Sequence, residues 1–219
     1  MEDSNFVLLW KEHYQKIDES LAINRRIIKE LINQKASNTL KGLIRLKQRG
    51  IIAFVIYLLL LGYLLTYAIR HYSPASNYFI ISIGAIFLIN VKGFSDYIRH
   101  LIWTNNINYN GSVVEIQEQL LKLQLSIIRH GRIMCLQFPF FTTFFLSSKW
   151  FPQHTSTGYI ILQVVLTGAF TFLSYWLYKQ HKPENLRKKW FRKLIAGSGA
   201  GYVMRAQEFY KEMEEFRQE

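Results

Sequence analysis

Six histidines, one cysteine, one glycine-rich stretch and one glutamine beside a proline are the residues of this chain whose types could do chemistry. His13, His71, His100, His130, His154 and His181 fall on different segments and show no metal-ligand spacing, so they read as surface or interface residues. Cys135 is the single cysteine, which excludes an intramolecular disulfide and leaves a packed thiol as the expectation. The stretch 197–201, GSGAG, lacks the preceding strand and the following Lys-Ser/Thr of a phosphate loop, and reads as a flexible joint between two helices. Gln137, two residues before Pro139, is the best candidate for a polar site inside an apolar block. A glutamine bonded to a backbone carbonyl freed by the proline is the commoner arrangement there. No paired carboxylates, nucleophile with a base, or cofactor fingerprint accompanies these residues. The expectation is a protein that is not an enzyme and holds no cofactor or metal.

The elements that position these residues are set by how the apolar residues are distributed. They make up 50% of the 219 residues and gather in uncharged blocks separated by basic segments, which is a membrane pattern rather than the even periodicity of a soluble core. Residues 51–69 give nineteen positions without a charge, close to the length that crosses a hydrocarbon core of about 30 Å. This run, the first apolar one, would also serve as the targeting signal. Residues 77–91 form a second span whose helix continues into polar sequence, 133–148 a third, and 158–178 a fourth. The third is short and carries Gln137, Pro139 and five phenylalanines, so a kinked span is expected, with a re-entrant segment as the alternative.

Charge fixes the orientation. Ten Lys and Arg precede residue 51, five lie in 92–132 and ten follow residue 178, against only Arg70 and Lys149 in the two remaining loops. By the positive-inside rule both termini are cytoplasmic, in what reads as a bacterial inner membrane. The net charge of +12 could also suit nucleic acid, but the basic residues flank the apolar blocks, where anionic headgroups are the nearer partner. Nucleic acid is therefore not expected.

The polar segments read as helices with apolar seams. Residues 1–50 are mostly helical, and Trp10, Tyr14, Ile17, Leu21, Asn24, Ile28 and Leu31 recur at steps of four and three, a 3.5-residue period. Asn24 falls on this seam, where a buried amide fixes register or oligomeric state and a seam-edge amide simply stays wet. Residues 92–132 read as a helical hairpin around the loop NNINYNG at 105–111. Its second helix opens on the capping box Ser112-Val113-Val114-Glu115, and Val113, Ile116, Leu120, Leu123 and Ile127 then form its seam. With the loop centre near residue 109, facing positions have numbers adding to about 217 or 218. That register sets Arg99 beside Glu118 and Asp96 beside Lys122. In 179–219, Lys188, Lys189, Trp190, Arg192 and Lys193 read as a headgroup-contacting basic helix, followed by a seam at Tyr202, Ala206, Phe209, Met213 and Phe216.

The stretches 21–29 (LAINRRIIK), 81–90 (ISIGAIFLIN), 118–127 (EQLLKLQLSI) and 138–146 (FPFFTTFFL) resemble uncharacterised four-span membrane proteins of the Bacteroidota. The resemblance implies a polar amphipathic helix ahead of the first span and no catalytic residues. The combined expectation is an all-α fold: a four-helix transmembrane bundle whose helices extend into a cytoplasmic helical or coiled-coil bundle. Its function would be that of a non-enzymatic anchor or regulatory adaptor, with membrane lipids and either a protein partner or another copy of itself as the bound species. A small transporter or channel subunit using the region of Gln137 and Pro139 is the alternative, and a lipid-modifying enzyme ranks last.

Overall fold

The computed structural model describes the backbone of residues 2–218 and the side chains of residues 10–213 and 215. Among these, every regular element is helical: α1 (Glu2–Arg70), α2 (Asn77–Asn105), α3 (Val113–Met134), α4 (Thr157–Gln180), α5 (Lys189–Ile195) and α6 (Ala200–Gln218), with short 3-10 turns between them. Three of them, α1, α2 and α4, are long and apolar enough to cross a membrane.

α1 carries the N-terminal seam and the first apolar run on one unbroken helix of 69 residues, about 100 Å at 1.5 Å per residue. The looser pattern at Ser37, Asn38 and Gly42 does not interrupt it. α2 likewise runs from its apolar block into the polar segment without a break.

Outside the apolar blocks the helices pack around one core. Ala36, Leu40 and Leu43 of α1 meet Ile116, Leu120, Leu123 and Ile127 of α3, Phe191 and Ile195 of α5, and Ala200, Val203, Ala206 and Tyr210 of α6. The α3 seam read from the sequence therefore faces inward. On α6 the inward face is Val203, Ala206 and Tyr210, about one position round from the seam read there: of that seam Ala206 is buried, Phe209 and Met213 pack partly buried against the core, and Tyr202 is exposed. Phe216 of the α6 seam lies outside the described side chains. The segment 197–201 is a built turn rather than a flexible joint: Gly199 takes φ +94°, and a Cβ there would lie 2.3 Å from Leu43 Cδ1. Only glycine combines that backbone with that approach.

The third apolar block departs from the expected helical span. α3 ends at Met134, and the chain continues as a 3-10 segment (Cys135–Thr142) containing Pro139, then as turns up to α4. Pro139 removes one amide and the backbone tightens instead of kinking once. The carbonyls that lose regular partners are met by side chains of α4: Ser174 Oγ donates to Cys135 O at 2.8 Å, and Gln163 Nε2 donates to Thr142 O.

Candidate interaction surface and buried polar cluster

Outside the apolar blocks, the N-terminal seam is the longest row of exposed apolar side chains among the described residues. Trp10, Tyr14, Ile17, Leu21, Ile28 and Leu31 are each between 41% and 58% exposed, and Asn24 is exposed with them. α1 is first tied to the bundle by polar bonds at its base. Lys29 Nζ donates to Gly111 O at 3.0 Å, Asn33 Nδ2 donates to Tyr109 O at 2.8 Å, and Tyr210 Oη donates to Asn33 Oδ1 at 2.8 Å. Residues 10–28 therefore project beyond the core by about 28 Å. The face of α1 that docks lower down, Ala36, Leu40 and Leu43, lies roughly 100° around the helix from the seam at 100° per residue. The seam is thus a second apolar face, not an extension of the docked one.

The hairpin pairs in a different register from the one expected. Asp96 lies beside His130, with Oδ2 to Nδ1 at 3.6 Å, and His100 Nε2 lies 2.9 Å from Ser126 Oγ. Facing numbers add to 226, so each α2 position meets an α3 position about eight residues, or 12 Å, later than its expected partner. The cause is the loop. Residues 106–112 do not turn tightly but run back along α3, where the Asn108 amide donates to Gln119 Oε1 at 3.2 Å. Asp96 consequently pairs with Lys92 and Arg99 on its own helix instead of with Lys122, and Arg99 does not pair with Glu118. Lys122 Nζ sits 4.7 Å from the Trp103 ring centroid. All four residues still line one groove of about 540 Å³ between α2 and α3. The capping box forms as read, with Ser112 and Glu115 exchanging bonds.

The register also brings together His100 and His130, whose rings lie 5.9 Å apart, although the sequence register separated them. Both are buried, as are Asp96 and Lys47. Lys47 arrives from α1, with Nζ 3.7 Å from the centroid of the Tyr97 ring and no hydrogen-bond acceptor. Tyr97 reaches α1 because Gly50 leaves room: a Cβ at Gly50 would lie 2.5 Å from Tyr97 Cε1. Burial pushes the Lys47 ammonium down to about 8, against the upward pull of the Asp96 carboxylate. Burial, reinforced by Lys47, pushes His130 down to about 4 while Asp96 opposes it. His100 is pushed to about 3, by burial first and then by Lys47 and His130. Burial thus holds both imidazoles in the neutral form at neutral pH. Among the described residues no group of His, Cys, Asp and Glu could hold a metal ion.

Sequence reading missed the burial of Lys47, although it continues the four-three-four steps of Ala36, Leu40 and Leu43, and a cation on a buried seam was the available signal. His181 is also buried, near Cys135 Sγ at 3.9 Å. Gln137 is not free: its Oε1 accepts from Asn90 Nδ2 at 2.9 Å, and the same amide group donates to Ile86 O. In the C-terminal segment, Phe191 and Ile195 point into the core, leaving Lys188, Lys189, Trp190, Arg192 and Lys193 outside. Trp190 stacks on Trp176 of α4 at 5.5 Å, and Arg192 pairs with Glu208 at 3.2 Å. The basic face of α5 thus lies next to the end of the apolar α4.

Comparisons with protein families, curated proteins and solved structures find no match to this chain.

Proposed function

We propose that this chain is a multi-pass integral membrane protein with four crossings, resident in a bacterial inner membrane with both termini cytoplasmic. It acts as a non-enzymatic anchor or adaptor that docks a protein partner on the projecting part of α1. The observation that carries the docking role is the free seam of Trp10, Tyr14, Ile17, Leu21, Ile28 and Leu31, half-exposed on a helix fused rigidly to a packed core. An apolar stripe of that length marks an interaction site.

Three helices supply three crossings. The fourth is supported by the course of the chain after α3, which tracks α4 in antiparallel order: Cys135 meets Ser174, Thr142 meets Thr167 and Trp150 meets Tyr159. Irregular backbone at membrane depth is tolerated where protein covers it, as α2 and α4 do here. The division of twenty-five Lys and Arg on one side against two on the other supports the same topology. The basic face of α5 rests on anionic headgroups in this arrangement. The transporter reading is weakened because Gln137 and Asn90 are bonded to each other, and Ser174 and Gln163 to the backbone of the 3-10 segment.

The test is photocrosslinking in native membranes from a probe at Leu21. A covalent adduct with a polypeptide supports the docking role. Probes at Tyr14, Leu21 and Ile28 that all capture only lipid, or nothing, refute it.

A further inference from the structure

We infer that the occupant of the α1 seam is a second copy of this chain, joined to the first as a parallel, in-register, two-stranded coiled coil over residues 10–31. This rests on the docking role proposed above and names its partner.

α1 passes without a break from the apolar run 51–69 to the free seam. Any second copy inserted in the same membrane therefore carries its seam at the same height and pointing the same way. The membrane excludes an antiparallel pair and sets equal residue numbers level with one another, which is the register a homodimeric coil needs. Confinement of both chains to one surface also converts a weak helix contact into an association at high effective concentration.

The residues fit that register. With the heptad assigned from the seam, Tyr14, Leu21 and Ile28 take a positions and Trp10, Ile17, Asn24 and Leu31 take d positions. The exposed Ile27 falls at a flanking position and adds apolar area at the base of the coil. Flanking pairs across a parallel dimer are His13 with Asp18 and Ser20 with Arg25, so no like charges oppose each other. Residues 10–31 carry five cations and four anions, a balance that opposes neither approach of an identical helix nor its release. The Glu12–Lys16 pair, 3.1 Å apart, lies on the outer face. The one polar seam residue, Asn24, meets Asn24 of the second copy, where the two amides satisfy each other and a slipped register would leave each buried against an apolar side chain. Ile at a and Leu at d in the last heptad, Ile28 and Leu31, favour two strands.

Cysteine crosslinking of the full chain in native membranes tests this, in a Cys135→Ser background. Leu21→Cys and Asn24→Cys place thiols on the seam, and Arg26→Cys places one on the far side of the same turn. A parallel coil brings seam thiols within disulfide range and keeps outer ones apart, so seam variants are expected to form a covalent dimer at least about tenfold faster than Arg26→Cys. Equal rates at all three positions, or no dimer at any, overturn the inference. All three sites are exposed, so folding of the bundle is not at stake. The photocrosslink at Leu21 separates the two levels of the argument. An adduct with a different polypeptide, without a covalent homodimer, overturns the second copy and leaves the docking role standing. No adduct and no dimer overturn both.

Discussion

Replacing Lys47 with methionine keeps the length and most of the volume of a buried side chain and removes its charge. The Lys47 ammonium is fully buried, has no acceptor, and releases its proton at about 8 instead of 10.5. That lowering corresponds to roughly 3 kcal/mol that the fold spends holding the charge. The contact with the Tyr97 ring offsets about 1–2 kcal/mol of this and is lost in the variant. Lys47→Met is therefore expected to stabilise the helical bundle by about 1–2 kcal/mol at pH 7, a rise in Tm of a few degrees for a chain of this size. The pH dependence makes the reasoning sharper. Below 8 the ammonium is charged in both states and its cost is constant, whereas above 10.5 it is neutral in both and the cost is gone. Between those values the unfolded chain binds the extra proton, so wild-type stability rises with pH relative to the variant. The assay is thermal unfolding in detergent of both proteins at pH 7 and pH 10.5, followed by tryptophan fluorescence. A variant that melts several degrees below wild type at pH 7 would refute the reasoning, because it would make the charge a net stabilising partner of Asp96.

Other outcomes follow from the same structure. His130 and His100 are held neutral by burial and by Lys47, so the stability they permit is complete above about 6.5 and is lost as pH falls towards 4 and then 3. In acid titration of the purified chain, His130→Asn is expected to flatten that loss, and an unchanged acid limb counts against the cluster. Gln163→Leu leaves the Thr142 carbonyl without its donor and is expected to cost about 1–3 kcal/mol, measured as earlier thermal unfolding than wild type. The double variant Leu21→Asp with Ile28→Asp touches only the projecting helix. Its bundle is expected to melt within a degree or two of wild type while its crosslinked adducts disappear, and a large drop in Tm would show that the seam serves the fold.

How much of this was legible in the sequence depended on the range of the interaction. The helices were legible because a 3.5-residue seam is a local pattern, and Ile116, Leu120, Leu123 and Ile127 are buried as their spacing implies. The capping box at Ser112 is local too, and it forms. The hairpin register was not legible, because it turns on whether residues 106–112 close tightly or run back along α3, and composition does not distinguish the two. That error of about 12 Å concealed the meeting of His100, His130 and Asp96. Lys47 joins them from some fifty to eighty positions away, over the Tyr97 ring that Gly50 leaves room for. Pro139 announced an irregular third block, but the side chains that repair it, Gln163 and Ser174, sit on the next helix and read there as ordinary polar residues in an apolar run. The seam at residues 10–31 was visible, while its exposure was not: periodicity shows that a face is apolar, and only the assembled bundle shows that nothing among the described residues covers it.

Hydrogen exchange across residues 10–28 tests the central claim most directly. A solvent-surrounded helix of that length is marginal on its own and exchanges quickly, whereas the same helix inside a docked pair is protected. These amides are expected to exchange fast in dilute detergent monomers and slowly in native membrane vesicles, with the amides of 36–43 slow in both. Fast exchange of residues 10–28 in native vesicles would mean that the seam is never covered, and would contradict the docking role.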